Sequence, residues 1–314
     1  MTTSGSVDFS VSQDDIITNA LLENGELSQG DTIDPDRYAT AKLRLNSWVK
    51  SLMAEGAKLW AMEQATLFFD VGTASYSLGS TGTNCTKTYV QTTLSADSAL
   101  GDTTLDLTAF AGMSASDNIG IVLDDGTVDW TTISGAPGAV TTIAVGLTSA
   151  ASSGNVVFTY TTKINRPQRI DGESMYWHSI AGQDTPVTLI SRSEYAQLSN
   201  KSTQGKVVKA FYDPQLGNGV LYLWPTPDNA TDVLKFWYER ILEDFDTTTN
   251  TPDFAIEWSE ALILGLASRL ARSSGIVSPQ ERDKLEASAE RALSLAMGYD
   301  KEAVSTYFQP DYRY

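Results

Sequence analysis

Few side chains in this sequence are suited to nucleophilic, acid–base or metal chemistry. The 314 residues contain one Cys, Cys85, and one His, His178. A disulfide within the chain is therefore impossible, and no zinc site of the Cys/His kind can be assembled from one of each. A Ser-His-Asp or Cys-His mechanism would have to run through His178 alone. That residue lies in an aromatic strand pattern, Tyr176-Trp177-His178, which predicts a hydrogen-bonded packing role. Cys85 has only Lys87 nearby to lower its pKa, so an inert thiol is expected. Asp117, Asp124, Asp125 and Asp129 offer hard oxygen ligands but lack the alternate-residue spacing of a calcium loop. The Asp125-Gly126 step predicts a hairpin turn instead. Glu239, Glu243, Asp244 and Asp246 are the candidates for glycoside hydrolysis, which needs two acids roughly 5–10 Å apart in a cleft. Placed at a strand end and in the loop after it, they are expected to form solvated acidic surface. Neither phosphate-loop pattern occurs, and GAPGAV at 135–140 reads as a turn between strands. Trp224, Trp237, Tyr222, Tyr238 and Phe236 could stack on a sugar or a base. Their period-two placement on two strands predicts a packed sheet face. The residues thus predict no catalytic, cofactor-binding or metal site.

Charge narrows the partners. Lys and Arg total 22 against 39 acids, a formal charge of −17, with 19% of residues charged against a typical ~25%. Affinity for nucleic acid comes mainly from Lys and Arg displacing counterions, so ordinary DNA or RNA binding is disfavoured, as is docking on anionic lipid. The N-terminus MTTSGSVDFSVSQDD has no basic or apolar leader region. No stretch approaches the ~18 apolar residues of a membrane span. Export by a visible signal and membrane association are not expected.

The elements that would position these groups alternate between two periods. Ser12 with Asp14 and Asp15 caps a short helix ending at Gly25. Asp34-Pro35 starts a second, with Tyr38, Ala41, Leu45, Trp48 and Leu52 on one face and Gly56 as its stop. LWAMEQATLFFD and ASYSLG then read as paired strands about a turn at 71–73. From 88 to 160 there is no Lys, Arg or Glu, and the seven charges are all Asp; short alternating runs there predict a compact all-β module, a sandwich or barrel. Further on, PVTLIS is expected as a strand, Ser191–Leu198 as a short helix, KVVKAFYDP and GVLYLWP as a hairpin, and DVLKFWYERIL as a strand. Two helices follow, from Asp253 to about Arg272 and from Ser278-Pro279 to about Met297, the second with a capping-box pattern at Ser278 and Glu281. The fold class expected is α+β: a helical bundle built from N- and C-terminal helices, with a β-rich middle into which the all-β module is inserted.

The last segment is aromatic. Tyr299, Tyr307, Phe308, Tyr312 and Tyr314 crowd into 16 residues, where a disordered terminus would be poor in aromatics. Aromatics concentrate at interface anchors, so this tail is expected to order against another chain.

The strings DDIITNAL, LRLNSWVKSLMAEGAKLW, PVTLISRSEYAQLSNKSTQGKVVKAFYDPQLGNGVLYLWPTPDNATDVLKFWYERILEDFD and TPDFAIEWSEALILGLASRLA, in that order, resemble the head-to-tail adaptor proteins of tailed bacteriophages, chiefly short-tailed ones. The resemblance leaves aside the inserted module and the extreme termini. Ala255 after Phe254, and Val207, stand where the pattern would carry proline. The resemblance implies a structural virion protein at the capsid–tail junction, made in the host cytoplasm and without enzymatic activity or cofactor. It implies a homo-oligomeric ring, usually of about twelve copies, beneath the portal protein. The ring would receive the tail nozzle or tube on its other face, and genomic DNA would pass through its lumen without specific binding. The adaptor body would comprise 1–87 and 161–298, with 88–160 as an insertion available to a tail fibre or spike and 299–314 extended for portal docking. Portal-interface candidates are then Tyr299, Tyr307, Phe308, Tyr312 and Tyr314. A tail-associated carbohydrate-binding or depolymerase protein, or a tail-tube or decoration subunit, are the alternatives.

Overall fold

The computed structural model describes residues 5–53 and 59–299, and shows a mixed α+β chain. Five helices occur among the described residues: α1 (Gln13–Glu23), α2 (Pro35–Leu52), α3 (Arg192–Ala196), α4 (Ser259–Ala271) and α5 (Pro279–Tyr299). The strands up to the end of the Asp-only region are β1 (Met62–Phe68), β2 (Ser75–Leu78), β3 (Cys85–Thr86), β4 (Val90–Thr93), β5 (Thr104–Asp106), β6 (Asn118–Val122), β7 (Val128–Thr132), β8 (Val140–Thr142) and β9 (Val156–Tyr160). Beyond it lie β10 (Arg169–Ile170), β11 (Tyr176–His178), β12 (Asp184–Pro186), β13 (Thr188–Leu189), β14 (Lys209–Asp213), β15 (Gly219–Trp224) and β16 (Val233–Glu239). The chain divides into two compact units, one from the described residues up to Ala61 and from Leu242 on, the other Met62–Ile241.

In the first unit α1, α2 and α5 each pack against α4. Ile16, Ile17, Leu45, Trp48, Leu52, Trp258, Leu262 and Leu266 are buried together. Gly265 lets α4 approach Trp48: a Cβ there would lie 2.0 Å from the indole. The loop after β16 is tied in by polar contacts, with Phe245 N donating to Asn46 Oδ1 at 2.9 Å and Gln13 N to Asn250 O at 2.8 Å. The helix expected from Asp253 begins later, after a 3-10 turn at Ile256–Trp258. Asp253 does not cap it, because its carboxylate accepts from Glu243 N at 3.0 Å while Phe254 packs on Trp60, ring centroids 5.5 Å apart.

The starts of α1 and α5, unlike that of α4, follow their sequence signals. Ser12 and Asp15 form a reciprocal capping box on α1, and Ser278 bonds reciprocally with Glu281 at the start of α5. Hydrogen bonds from Ser12 and Ser278 hold the Asp15 and Glu281 carboxyls below the usual carboxylate range. Depressed native pKa values contribute stability that is present above the unfolded value, about 4, and is lost as pH falls through the native one. Both caps are therefore expected to contribute to a fall in the unfolding midpoint below about pH 4. Asp15→Asn with Glu281→Gln should flatten that fall in a pH series of melting curves. An unchanged slope would show that the caps are not its source.

In the second unit two sheets face each other. One has the order β12-β11-β16-β1-β3, with β10 also paired to β16; the other has the order β13-β14-β15-β2. Leu67, Phe69, Tyr76, Trp177, Leu221, Leu223, Leu234 and Phe236 lie buried between them. The strands expected to pair about residues 71–73 do not pair. β1 bonds to β16 and β3, whereas β2 bonds to β15 in the facing sheet. The connection therefore crosses between layers, so that Leu67 and Tyr76 meet across the core rather than side by side. PVTLIS is likewise shared between the sheets, as parts of β12 and β13.

The Asp-only region forms a four-stranded sheet, β4-β9-β6-β7, with a β5-β8 pair. Leu105, Ile119, Ile121, Ile133, Ile143 and Val157 make its own core. Gly126 occupies the β6–β7 turn with φ +83°, as the Asp-Gly step requires. The other face of this sheet also has cover. Val122, Val156, Phe158 and Tyr160 pack with Phe68, Ala230 and Val233 of the β1/β16 sheet. Phe68 centres this contact, its ring 4.9 Å from Phe158, 5.1 Å from Trp130 and 5.4 Å from Tyr89. The layers of the unit thus run in order: β5-β8, β4-β9-β6-β7, β12-β11-β16-β1-β3, and β13-β14-β15-β2.

Candidate functional site

Most chemistry-bearing residues singled out in the sequence have structural work. His178 Nδ1 meets Asp184 Oδ1 at 2.5 Å across the β11–β12 pair, so its partner is a carboxylate rather than a nucleophile. Cys85 is fully buried on β3, and burial pushes its thiol far above the usual range. Asp117 is buried and accepts from Ser114 N at 2.7 Å, whereas Asp124 accepts from Ser152 N and Asp129 from Thr148 N, each at 2.8 Å. Among the described residues no group of three or more His, Cys, Asp or Glu is arranged to hold a metal ion.

The expectation of a wholly solvated acidic surface at 239–246 needs correction. Glu239 is 4% exposed and pairs with Arg169 at 3.2 Å, because β10 lies alongside the end of β16. Asp244 and Asp246 are exposed, with Asp244 2.6 Å from Lys50. The five aromatics considered as a stacking platform do not share a face. Phe236 and Tyr238 are buried between the sheets, Trp237 is 40% exposed on the β1/β16 sheet, and Tyr222 and Trp224 lie half-buried on β15.

The structure brings together a group the sequence did not reveal. On the outer face of β14 and β15, Lys209 stands opposite Trp224 and Phe211 opposite Tyr222. Phe211 and Tyr222 stack at 5.7 Å and 13°, and Tyr195 of α3 lies 5.3 Å from Tyr222. Three cations lie against these rings: Arg192 5.7 Å from Phe211, Lys201 5.4 Å from Tyr195 and Lys209 5.8 Å from Trp224. Arg192 also pairs with Asp213 at 2.7 Å. They come from three separate segments, and no local spacing signals them.

The first unit carries clefts among its described residues. One of about 500 Å³ is lined by Arg44, Trp48, Arg269 and Arg272. Its cations are held by the protein itself: Arg44 donates to Arg269 O at 2.6 Å, Arg269 lies 4.3 Å over Trp48, and Arg272 pairs with Glu286. Another, of about 400 Å³, runs between the end of α1 and the start of α5. Among the described residues no helix is long and apolar enough to cross a membrane.

The portal-interface candidates Tyr307, Phe308, Tyr312 and Tyr314 lie outside the described residues, as does the side chain of Tyr299 at the end of α5. No curated protein matches the sequence. A family described as SU10 adaptor protein matches residues 102–311. That range takes in most of the Asp-only module, which the resemblance seen in the sequence left aside, and does not extend to α1 and α2. Covering two thirds of its length, the match places this chain in the SU10 adaptor protein family, a family of phage adaptors and structural virion components.

Proposed function

We propose that the chain is the subunit of a head-to-tail adaptor ring of a short-tailed phage, with about twelve copies beneath the portal protein. The match to the adaptor family over 102–311 carries this reading. The ring receives the tail nozzle or tube on its far side and lets genomic DNA pass through its lumen. Helices α1, α2, α4 and α5, which share one core, are its helical body. Residues 299–314 reach the portal, and the module at 88–160 is available to a tail fibre or spike.

The charge suits a conduit. A surface at −17 repels phosphate, so the polymer slides without sticking. The same charge opposes ring closure until opposite-sign patches, buried apolar area or the portal offset it. Purified alone, the chain is expected to sediment as a monomer or as loose small oligomers. A stable closed ring without portal would overturn that account of assembly. Imaging of the particle tests the function itself: subunits of this chain counted in a ring between portal and tail support it, and their placement on the capsid face or along a tail tube refutes it.

A further inference from the structure

The cationic aromatic face of β14 and β15 is at odds with the rest of the chain. Residues 191–213 hold Arg192, Lys201, Lys206 and Lys209 against Glu194 and Asp213, the latter paired with Arg192, a local charge of +2 in a chain of −17. The opposite face of the same strands, with Ala210, Leu221 and Leu223, is buried in the core. The outer face has α3 as partial cover, leaving Phe211, Tyr222 and Trp224 half-buried.

The complementary surface lies at the other end of the same unit. The layer order puts the β13-β14-β15-β2 sheet last and the Asp-only module first, separated by the β1/β16 sheet. Between 88 and 160 the module carries seven carboxylates and no cation, and all but the buried Asp117 reach its surface. Hydrogen bonds from Ser152 and Thr127 hold Asp124 and Asp125 below the usual carboxylate range, so both stay charged well into acid.

We infer that the Arg192, Lys201 and Lys209 face of one copy receives the Asp-rich module of a second copy. The inference rests on the ring reading above. Because the two patches are different and lie at opposite ends of one unit, the contact is head-to-tail, and such contacts build rings or open filaments rather than twofold dimers. Aromatic rings under the cations supply the apolar area that charge pairs alone lack. A phosphate backbone is the competing occupant, since stacked rings and cations also suit single strands, but the chain's overall charge repels it.

The test is zero-length carbodiimide coupling on an equal mixture of nitrogen-15-labelled and unlabelled full-length chain, concentrated at low ionic strength, where screening is weak. Peptides of mixed isotope joining Lys201, Lys206 or Lys209 to an Asp within 88–160 are expected. Lys201→Glu with Lys209→Glu should cut the yield of the remaining Lys206 links by about tenfold or more in a chain that still folds; Asp97→Asn with Asp124→Asn and Asp125→Asn should do the same to links at Asp102, Asp106 and Asp129. Mixed-isotope links confined to acids elsewhere, links found exclusively within a single isotope, or no links at all overturn the inference. So does a gel shift of a single-stranded DNA oligonucleotide that the Lys201→Glu, Lys209→Glu chain loses. A ring seen beneath the portal with no such links would sink this pairing and keep the ring; links without a ring would do the reverse.

Discussion

Phe68→Ala is expected to destabilise the second unit by about 3–5 kcal/mol, the range for emptying a buried aromatic site. Phe68 is 3% exposed, and its ring lies 4.9–5.8 Å from those of Tyr89, Trp130, Phe158 and Tyr160. Each such aromatic pair adds about 0.5–1.5 kcal/mol beyond area burial, though pairs that share one ring do not sum. What would be lost is specific. Leu67 and Phe69, its neighbours in sequence, face the core between the two sheets, whereas Phe68 faces the module. The module's own core around Ile119, Ile121 and Val157 does not include Phe68. The variant should therefore unfold in two steps where the parent unfolds in one, with the near-ultraviolet signal of Trp130 lost first. A single transition displaced by under about 1 kcal/mol would mean that this contact is dispensable.

Removal of residues 299–314 should abolish docking on the portal while leaving the unfolding free energy within about 0.5 kcal/mol of the parent, as for surface changes away from the core. The removed segment carries Tyr299, Tyr307, Phe308, Tyr312 and Tyr314. Anchors of this kind cost about 2 kcal/mol or more each when truncated. Losing several together exceeds a thousandfold in affinity by the usual conversion, about 1.4 kcal/mol per factor of ten. The buried α5 positions Ala289 and Ala296 precede the cut and stay in place. Co-sedimentation with purified portal reads the outcome, and a truncated chain that docks as well as the full one refutes the role given to the tail. Tyr307→Ala with Phe308→Ala, and Tyr312→Ala with Tyr314→Ala, would apportion the loss between the two aromatic pairs.

Helices were legible wherever a cap preceded an apolar stripe. Asp34-Pro35 and Ser278-Pro279 mark starts that the structure keeps, because a side chain and its neighbouring amides settle a helix N-terminus locally. The β14–β15 hairpin was equally clear from its alternation. Sheet membership was not. β1 and β2 are consecutive and alternate similarly, yet only packing across the core decides that they lie in different sheets. Leu67-Phe68-Phe69 breaks the alternation because this strand is covered on both faces, and Val156–Tyr160, all five residues buried, reads as a continuous run for the same reason. Glu239 escaped because its partner, Arg169, is 70 residues away in sequence. The aromatic tail was visible in composition alone, whereas the cations over Tyr195, Phe211 and Trp224 converge only after folding.

The Asp-rich module leaves and re-enters its host at adjacent points: Thr86 Oγ1 donates to Thr162 O at 2.8 Å, and Ile164 N to Cys85 O at 2.9 Å. The host sandwich is already closed at that seam, so residues 88–160 behave topologically as a cassette. A foreign domain grafted there would need its own termini close together, as most domains have, and one further property. It would have to bring an apolar flank to cover Phe68 and Val233, or leave a greasy scar on the sheet it replaced.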